Sequence, residues 1–389
     1  MGSGFRADPS VEAVANSPSK SLALALGAFC VGVALGPAWD AIGASVPIVI
    51  GITAILLNLF ARSRTMIVIS VALALFALGG VRTQGAPWTV ALPDQASDVR
   101  ELVAHEMAVA LSEPHASFLT GLIFGGSSDL PDGLREAFRT TGTSHILSAS
   151  GYNVSLFTFY FFNWVITTPL ARRRGIWATA ILLVVYALGA GASAAVLRAT
   201  LMGAVILVGA AVRRRAKMGN ALLLAVALML LFDPTLLWGD VGFQLSVVAT
   251  SAMIFWAPAF ARRVAFLPKK FGIRDSFGGS IAAIIATTPI VLWWFGTVSL
   301  VAPLANLAVL PMVPYAMASG LIGLAATIYD PGIGQIISLP AWAFSSVILH
   351  VVSWLEALPL ASVSVPFAHA AAAVSAAVIF FVWLRVRRA

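Results

Sequence analysis

Charged residues and cysteines are both scarce in this chain of 389 residues. Asp, Glu, Lys and Arg together make up 10% of the sequence, whereas a soluble globular protein carries about 25%. So little charge excludes an ordinary water-soluble domain, because most of its surface would have to be apolar. With 60% hydrophobic residues and a mean hydropathy of +0.94, the composition predicts a polytopic membrane protein.

The single cysteine, Cys30, excludes a disulfide framework and a thiolate metal cluster. The five histidines are scattered, and none forms the His-Glu-x-x-His pair that binds zinc. A phosphate-binding loop of the Gly-x-x-x-x-Gly-Lys-Ser/Thr type is also missing. No serine or cysteine is accompanied by a recognisable base and orienting group. We therefore predict no metal, no cofactor and no enzymatic activity, and we assign any ATP-driven motor to a separate cytoplasmic protein.

The net charge of +8 is not a nucleic-acid-binding signature, because the cations stand in short runs between apolar segments. Such runs are typical of cytoplasmic loops under the positive-inside rule. They lie at Arg62 and Arg64, Arg172–Arg174, Arg213–Arg215 with Lys217, Arg262 to Arg274, and Arg385 to Arg388. We expect a bacterial cytoplasmic membrane protein that crosses the membrane many times and has a cytoplasmic N-terminus.

A membrane span needs about 20 apolar residues. The sequence predicts an all-α fold with about twelve transmembrane or broken membrane helices, at residues 21–38, 45–60, 65–81, 146–168, 176–190, 193–212, 218–236, 241–258, 277–296, 298–328, 335–356 and 366–384. Residues 298–328 contain Pro303, Pro311 and Pro314, so we expect one broken or re-entrant element there. Counted in this way, every basic run faces the cytoplasm.

The chain divides into four regions by composition. Residues 1–20 are polar and are expected to form a disordered cytoplasmic N-terminus, and residues 21–81 hold three spans. Residues 82–142 form a polar outer-face segment with eight acidic residues and four arginines, which argues against a strong polyanion-capture surface. Residues 143–389 form the membrane core.

Two short helices are predicted in the outer-face segment. Between Gln95 and Leu111, apolar residues recur at helical spacing opposite a charged face, which is typical of a helix lying on the membrane; they are Val99, Leu102, Val103, Met107 and Ala110. The same apolar character continues through Phe118, Leu119, Leu122 and Ile123. A second helix is expected over residues 131–140.

A dense group of polar residues occurs over residues 140–155, where a membrane helix begins. The candidates in it for a water-facing pathway are His145, Ser150, Tyr152 and Asn153. Polar groups at membrane depth must be satisfied by protein or water, so the group favours a wet surface. The alternative is a helix cap followed by small residues that let helices pack closely.

Arg198 is the most prominent charge inside a predicted span. An arginine at the centre of a membrane helix costs roughly 2.5–3.5 kcal/mol on insertion scales, so it must snorkel, pair or face a wet cavity. Asp233 and Asp240 on the following helices are candidate partners. A structural ion pair and a cation that lines a pathway for an anionic solute both remain open.

Two amides complete the set of candidate pathway residues. Gln244 lies in an apolar span, where amides usually form hydrogen bonds between helices. Asn306 lies in the broken element, between Pro303 and Pro311, where a polar side chain is the usual mark of a solute pathway. The alternative for Asn306 is to satisfy carbonyl groups that the prolines leave free.

Five short motifs occur in an order that resembles the ComEC family of competence membrane proteins. They are residues 140–151 (Thr-Thr-Gly-Thr-Ser-His-Ile-Leu-Ser-Ala-Ser-Gly), Val196-Leu-Arg-Ala, Asp233-Pro, Gly242-Phe-Gln-Leu-Ser and Pro303-Leu-Ala-Asn. The resemblance implies an inner-membrane channel for single-stranded transforming DNA, with residues 143–389 as its core. It also implies that Arg198, Gln244 and Asn306 belong to that core.

The chain departs from the family pattern in three places. Residues 150–153 read Ser-Gly-Tyr-Asn where the family often has Ser-Gly-Leu-His, so a role tied to that histidine is in doubt. Residues 82–94 are too few for the OB-like outer domain of many relatives, and no metallo-β-lactamase-like domain follows the core. We therefore expect a minimal form whose partners are single-stranded DNA, membrane lipids, and separate DNA-binding and nuclease proteins on the outer face; a homo-oligomer is left open.

Two other functions remain as alternatives. The chain would serve equally as a transporter of a small anionic solute or a lipid precursor, with Arg198 as the counter-ion. Broken helices suit a channel and a transporter alike, and only the ordered motifs favour the DNA channel. An intramembrane enzyme is the weakest of the three, because no catalytic set of residues occurs in the sequence.

Overall fold

The computed structural model describes residues 9–43, 45–61, 63–88, 95–126, 130–147, 172–190, 194–211, 217–265 and 273–388. These residues are helical apart from their connections and one small two-stranded sheet, which confirms the predicted all-α class. They fall into two compact units: unit 1 comprises Met1–Ala91 with Ala204–Gln244, and unit 2 comprises Leu92–Gly203 with Leu245–Ala389. Each unit is described by itself.

The described elements follow one another in four stretches. Unit 1 begins with α1 (Pro9–Ala15), α2 (Pro18–Ala34), α3 (Gly36–Ile42), α4 (Ser45–Leu59) and α5 (Arg64–Arg82). Unit 2 begins with α6 (Gln95–Ala110), α7 (His115–Phe124), α8 (Asp132–Thr140), α9 (Ser144–Leu147) and α10 (Arg172–Gly189). The boundary helix α11 (Ala194–Ala211) precedes α12 (Met218–Phe232) and α13 (Leu236–Gly239) of unit 1. A second boundary helix, α14 (Val241–Phe255), precedes α15 (Ala257–Arg263), α16 (Ile273–Phe295), β1 (Thr297–Ser299), α17 (Ala302–Val309), α18 (Val313–Tyr329), α19 (Pro331–Ile337), α20 (Leu339–Glu356), β2 (Ser362–Ser364) and α21 (Ala368–Arg388).

Unit 1 is built around a close crossing of α2 and α5. A Cβ on Gly32 would overlap the carbonyl oxygen of Phe76, and a Cβ on Gly79 would overlap that of Phe29. Small residues allow the two backbones to approach this closely, which is how helices associate without a hydrophobic driving force. Trp39 Nε1 donates to the carbonyl oxygen of Gly32 at 2.8 Å. At this crossing, the backbone carbonyl of Gly32 therefore also accepts a side-chain hydrogen bond.

The N-terminal segment differs from the disorder expected over residues 1–20. The structure describes it from residue 9 onward, and this part forms α1 and the start of α2. Ser21 Oγ donates to the carbonyl oxygen of Val14 at 3.0 Å. Asn220 Nδ2, on α12, donates to the carbonyl oxygen of Ser19 at 2.9 Å. The polarity that suggested disorder thus supplies hydrogen bonds that fix the segment to unit 1.

The helix α7 lies in the core of unit 2. Phe118, Leu119, Leu122 and Ile123 are completely buried, and the Phe118 ring stacks on Phe138 of α8 with ring centres 5.7 Å apart. This corrects the expectation that the segment lies on a membrane surface. The periodicity showed correctly that one face is apolar, but that face is covered by protein.

The same correction applies to α6, which forms where the periodicity predicted a helix. Val103, Met107 and Ala110 are buried, whereas Leu102 is 57% exposed. α6 packs against α7, α18 and α19 within unit 2. Its apolar face therefore contacts other helices instead of lying on lipid.

Fewer of the described helices are long and apolar enough to cross a membrane than the sequence suggested. By length and composition, the helices Arg64–Arg82, Arg274–Phe295 and Leu339–Glu356 can each cross a membrane, and the count rises from 3 to 6 if each of three bent helix pairs is one span. Three further apolar helices, Ser45–Leu59, His115–Phe124 and Met218–Phe232, have 15, 10 and 15 residues, shorter than the length of about 20 that a span needs. A polytopic membrane protein is consistent with these helices, but they do not confirm about twelve spans.

The predicted break within residues 298–328 is confirmed. α17 and α18 are bent by 46° across a short interruption at residues 310–312. Pro303 and Pro314 stand in the first turns of the two helices, where the missing N–H costs nothing. Pro311 lies in the interruption itself. None of the three prolines therefore stands in the interior of a straight helix, where it would break the hydrogen-bond ladder.

Candidate functional site

The partners that the described residues give the buried arginine of unit 2 are neutral. Arg198, on α11, is 6% exposed. Its Nε donates to Ser246 Oγ on α14 at 2.6 Å, and its Nη1 lies 3.6 Å from Met202 Sδ on its own helix. Among the described residues of unit 2, no carboxylate forms an ion pair with it. A buried charge without a counter-charge is costly.

The carboxylates expected to pair with Arg198 instead cap local turns in unit 1. Asp233 Oδ1 accepts a hydrogen bond from the Thr235 backbone N–H at 2.9 Å. Asp240 Oδ1 accepts one from the Phe243 backbone N–H at 2.8 Å, at the start of α14. Short acidic side chains commonly make such caps. Both carboxylates therefore bond to nearby backbone N–H groups within unit 1.

A second polar pair lies between α16 and α17 in unit 2. Asn306 Nδ2 donates to Ser280 Oγ at 2.9 Å, and both residues are buried. Asn306 Oδ1 has no hydrogen-bond partner among the described residues. A buried amide oxygen without a donor is rare in proteins. The sequence did not single out Ser280, since a serine after two glycines looks like any small packing residue.

The polar motif around residue 142 packs against the start of α17. Gly142 adopts a φ of +69°, and a Cβ there would lie 2.8 Å from the Cβ of Ala302. Thr141 and Thr143 on either side are completely buried and share a hydrogen bond of 2.8 Å between their hydroxyls. His145 Nδ1 lies 3.2 Å from the carbonyl oxygen of Gly142. This part of the motif therefore forms a compact, internally bonded turn.

The comparison with known proteins places the chain in a family. Residues 122–389 match the competence protein family. The chain belongs to this family. The match covers the core in which the ordered motifs occur, so the ComEC resemblance inferred from those motifs is confirmed.

A curated relative of this competence protein is similar over about half of the chain. It is ComE operon protein 3 of Bacillus subtilis (strain 168), which is 27% identical over 205 residues, covering 52% of this chain and 25% of the relative. The chain therefore matches about a quarter of the relative's length. No solved structure matches the chain. Family membership makes the chain a competence protein, and the apolar helices are consistent with a membrane protein.

The structure joins the motifs of this competence protein in pairs. Arg198 of the second motif is bonded to Ser246 of the fourth, and Gly142 of the first meets Ala302 beside the fifth. Within the described part of unit 2, no hydrogen bond joins Arg198 to Asn306. Ser150, Tyr152 and Asn153 lie outside the described residues.

Gln244 has a local role in unit 1. Its Nε2 donates to the carbonyl oxygens of Leu237 at 2.9 Å and Trp238 at 3.4 Å, which lie in the short helix before α14. This amide therefore closes a turn on carbonyl groups of α13, just before its own helix. Within the described residues, no three His, Cys, Asp or Glu side chains lie close enough together to hold a metal ion.

Proposed function

We propose that this competence protein forms the membrane channel through which single-stranded transforming DNA enters a bacterial cell. The observation that carries the proposal is Arg198, a buried cation whose described partners are the hydroxyl of Ser246 and the sulfur of Met202. A phosphodiester group supplies one negative charge per nucleotide. Such a group would provide the counter-charge that the described surroundings of Arg198 lack.

The chemistry of the site suits transient binding of a moving DNA strand better than tight binding. A guanidinium has five N–H donors in a planar fork that matches phosphate oxygens. Because Ser246 takes the Nε donor, the guanidinium plane is oriented while other N–H groups stay available. One cation meets one phosphate at a time, and conduction requires binding that is favourable but weak enough to release. Asn306 Oδ1, which has no hydrogen-bond partner among the described residues, would suit an amino group on a base.

The wider assembly is part of the same proposal. The chain would cross the cytoplasmic membrane about twelve times, with a cytoplasmic N-terminus and residues 82–142 on the outer face. It would act without enzymatic activity of its own, with a separate ATP-driven motor in the cytoplasm and DNA-binding and nuclease proteins outside. A homo-oligomer in the lipid bilayer is compatible with this arrangement.

The decisive experiment measures uptake of labelled DNA into a nuclease-protected strand. Deleting the gene should abolish transformation by added DNA while leaving DNA binding at the cell surface intact. When the deletion strain is complemented with the Arg198→Ala variant, uptake should be about tenfold lower than with the unmodified protein. The reason is that a hydrogen bond to a charged group contributes about 1.5–3 kcal/mol. Arg262→Ala removes an exposed cation from α15 and should restore full uptake. Normal transformation in the deletion strain would disprove the proposal.

A transporter of a small anionic solute is the second candidate. The observation that favours it is the outer-face segment, residues 82–142, which has eight acidic residues and four arginines and so repels a polyanion. A deletion strain that transforms normally but no longer takes up a small anion would select this function. Loss of anion transport in vesicles by Arg198→Ala, without any effect of added single-stranded DNA, would support the same conclusion.

A further inference from the structure

One end of unit 2 is formed by a small β-ribbon that joins two long helices. β1 follows α16, β2 precedes α21, and the strands pair antiparallel from Thr297 opposite Ser364 to Ser299 opposite Ser362. We call residues 293–300 and 360–369 the ribbon corner. Its backbone groups are satisfied beyond the ladder as well, since Val365 N–H donates to the carbonyl oxygen of Gly296 at 2.9 Å.

The ribbon corner lies in two uncharged stretches of sequence. Residues 276–329 and 357–384 contain no Asp, Glu, Lys or Arg. α16 begins beside Arg274 and Asp275, and α21 ends with three arginines between residues 385 and 388. The two helices pack together, and their uncharged ends meet at the ribbon. The charged ends therefore lie at the opposite end of the pair.

The helix length places these two ends on opposite sides of a membrane. α16 has 23 residues, which at about 1.5 Å per residue extends about 35 Å. The hydrocarbon core of a bilayer is about 30 Å thick. If the basic end of α16 stands in water at one face, the ribbon corner falls at the other face, close to the boundary between acyl chains and headgroups.

The connections in the ribbon corner expose large apolar side chains. Leu360 is 72% exposed and Phe367 is 86% exposed. Both have a left-handed backbone, with φ of 65° and 59°, a conformation that bulky residues rarely adopt and that costs free energy. Leu300 at the Leu360 end of the ribbon and Phe295 at the Phe367 end are more than half exposed as well. Loops in water are usually polar, so these loops are suited to apolar surroundings.

Aromatic rings with polar edges complete the ribbon corner. Trp293 and Trp294 are 53% and 46% exposed at the end of α16. The Trp293 ring stands edge-on to His369 of α21, with ring centres 4.6 Å apart. Tryptophan is enriched at the level of the lipid headgroups, where one part of the ring is apolar and its N–H remains wet.

We propose that the ribbon corner is seated in the headgroup boundary of the lipid bilayer, at the membrane face opposite to the basic ends of α16 and α21. Leu360 and Phe367 point the apolar connections into the acyl chains, and Trp293 and Trp294 mark the headgroup level. Hydroxyl groups of the strands, with no formal charge nearby, suit this depth. A nucleic acid is a poorer occupant, because the corner has no lysine or arginine to meet phosphates.

Depth measurements on the full chain in phosphatidylcholine vesicles test the proposal. The chain has one cysteine, Cys30, so a Cys30→Ala background allows a single fluorophore to be attached at Leu360→Cys or Phe367→Cys. Nitroxide lipids that carry the quencher near the headgroup should reduce the emission more than lipids that carry it near the chain end. Gly133→Cys is the matched aqueous control, since this exposed residue of α8 has open space around it; its emission should respond to iodide and not to lipid.

The unlabelled protein provides a second measurement in case Cys30→Ala fails to fold. Trp293→Phe with Trp294→Phe should reduce the share of tryptophan emission that shallow brominated lipids quench. The proposal is overturned if both labelled positions respond to iodide as Gly133→Cys does. It is also overturned if lipid quenching is absent while label–label energy transfer rises with protein density, because the corner would then contact a second copy of the chain. Absence of lipid quenching together with a shift of the emission by single-stranded DNA would overturn it as well.

Discussion

Arg198 and Ser246 are joined by a hydrogen bond of 2.6 Å between Nε and Oγ, although 48 positions separate them in the chain. The bond links α11 to α14 and gives the buried guanidinium a fixed orientation without neutralising it. A carboxylate in place of Ser246 would have neutralised the charge. With this neutral partner, the charge of Arg198 has no counter-charge among the described residues of unit 2.

Replacing Ser246 should weaken uptake without removing the cation. We expect Ser246→Ala to reduce DNA uptake about threefold to tenfold, because Arg198 loses a bond of about 1 kcal/mol or more that orients it. Ser246→Thr retains the hydroxyl and should restore most of the activity. Ser251→Ala is the control on the same helix, as Ser251 Oγ donates to the carbonyl oxygen of Val247 within α14. Equal uptake by Ser246→Ala and Ser251→Ala would show that the bond has no such role.

The turn at Gly142 should not tolerate a side chain. Gly142→Ala requires a left-handed alanine, which costs about 1–2 kcal/mol, and its methyl group would press on Ala302. We expect a lower melting temperature in detergent and reduced DNA uptake. Gly133→Ala in α8 has nothing within 4 Å of the added Cβ and should be neutral or slightly stabilising. If both variants melted alike, the close packing of this turn on α17 would be refuted.

The crossing of α2 and α5 provides an independent test of unit 1. Gly79→Ala should destabilise the protein by about 1–3 kcal/mol, since overpacking forces the backbones apart, and the added Cβ would meet Phe29 and Val33. Gly27→Ala lies on α2 with open space around its Cβ and gains up to about 1 kcal/mol of helix propensity. Thermal unfolding in detergent, monitored by the onset of aggregation, should give different melting temperatures for the two variants. A stabilised Gly79→Ala would contradict the described crossing.

His115 should make the stability of unit 2 depend on pH. Its Nδ1 lies 3.1 Å from Ser345 Oγ, and its ring stands edge-on to Trp342. Burial lowers the pKa of His115, and the nearby charge of His350 lowers it further, while the carboxylate of Glu113 opposes both effects. The folded state therefore favours the neutral ring.

The sign of this pH dependence follows from proton linkage. Because the pKa of His115 is lower when folded than its usual 6.5, the unfolded chain binds more protons between the two pKa values. Its contribution to stability is present above about pH 6.5 and is lost as the pH falls through the folded pKa. His115→Gln should flatten the fall in melting temperature below neutral pH. His105→Gln, at a side chain 73% exposed, should retain it, and an unchanged profile in His115→Gln would rule out His115 as the cause.

Local signals in the sequence predicted elements better than partners. Three prolines predicted the break between α17 and α18, because the missing N–H and fixed φ of proline act within a few residues. Helical spacing predicted α6, since a period near 3.6 is a property of the segment itself. Neither signal specifies what covers an apolar face, and that is why α6 and α7 were expected on a membrane surface and are found packed in unit 2.

The sequence by itself determined the membrane character, the all-α class and, through its ordered motifs, the competence family. Those properties depend on composition and on short local patterns, which can be recognised without knowing how the chain folds. Only the tertiary structure decided that Arg198 bonds Ser246, that Asn306 bonds Ser280, and that Gly142 packs on Ala302. The physical reason is that these contacts join residues distant in the chain, and their geometry depends on how whole helices pack.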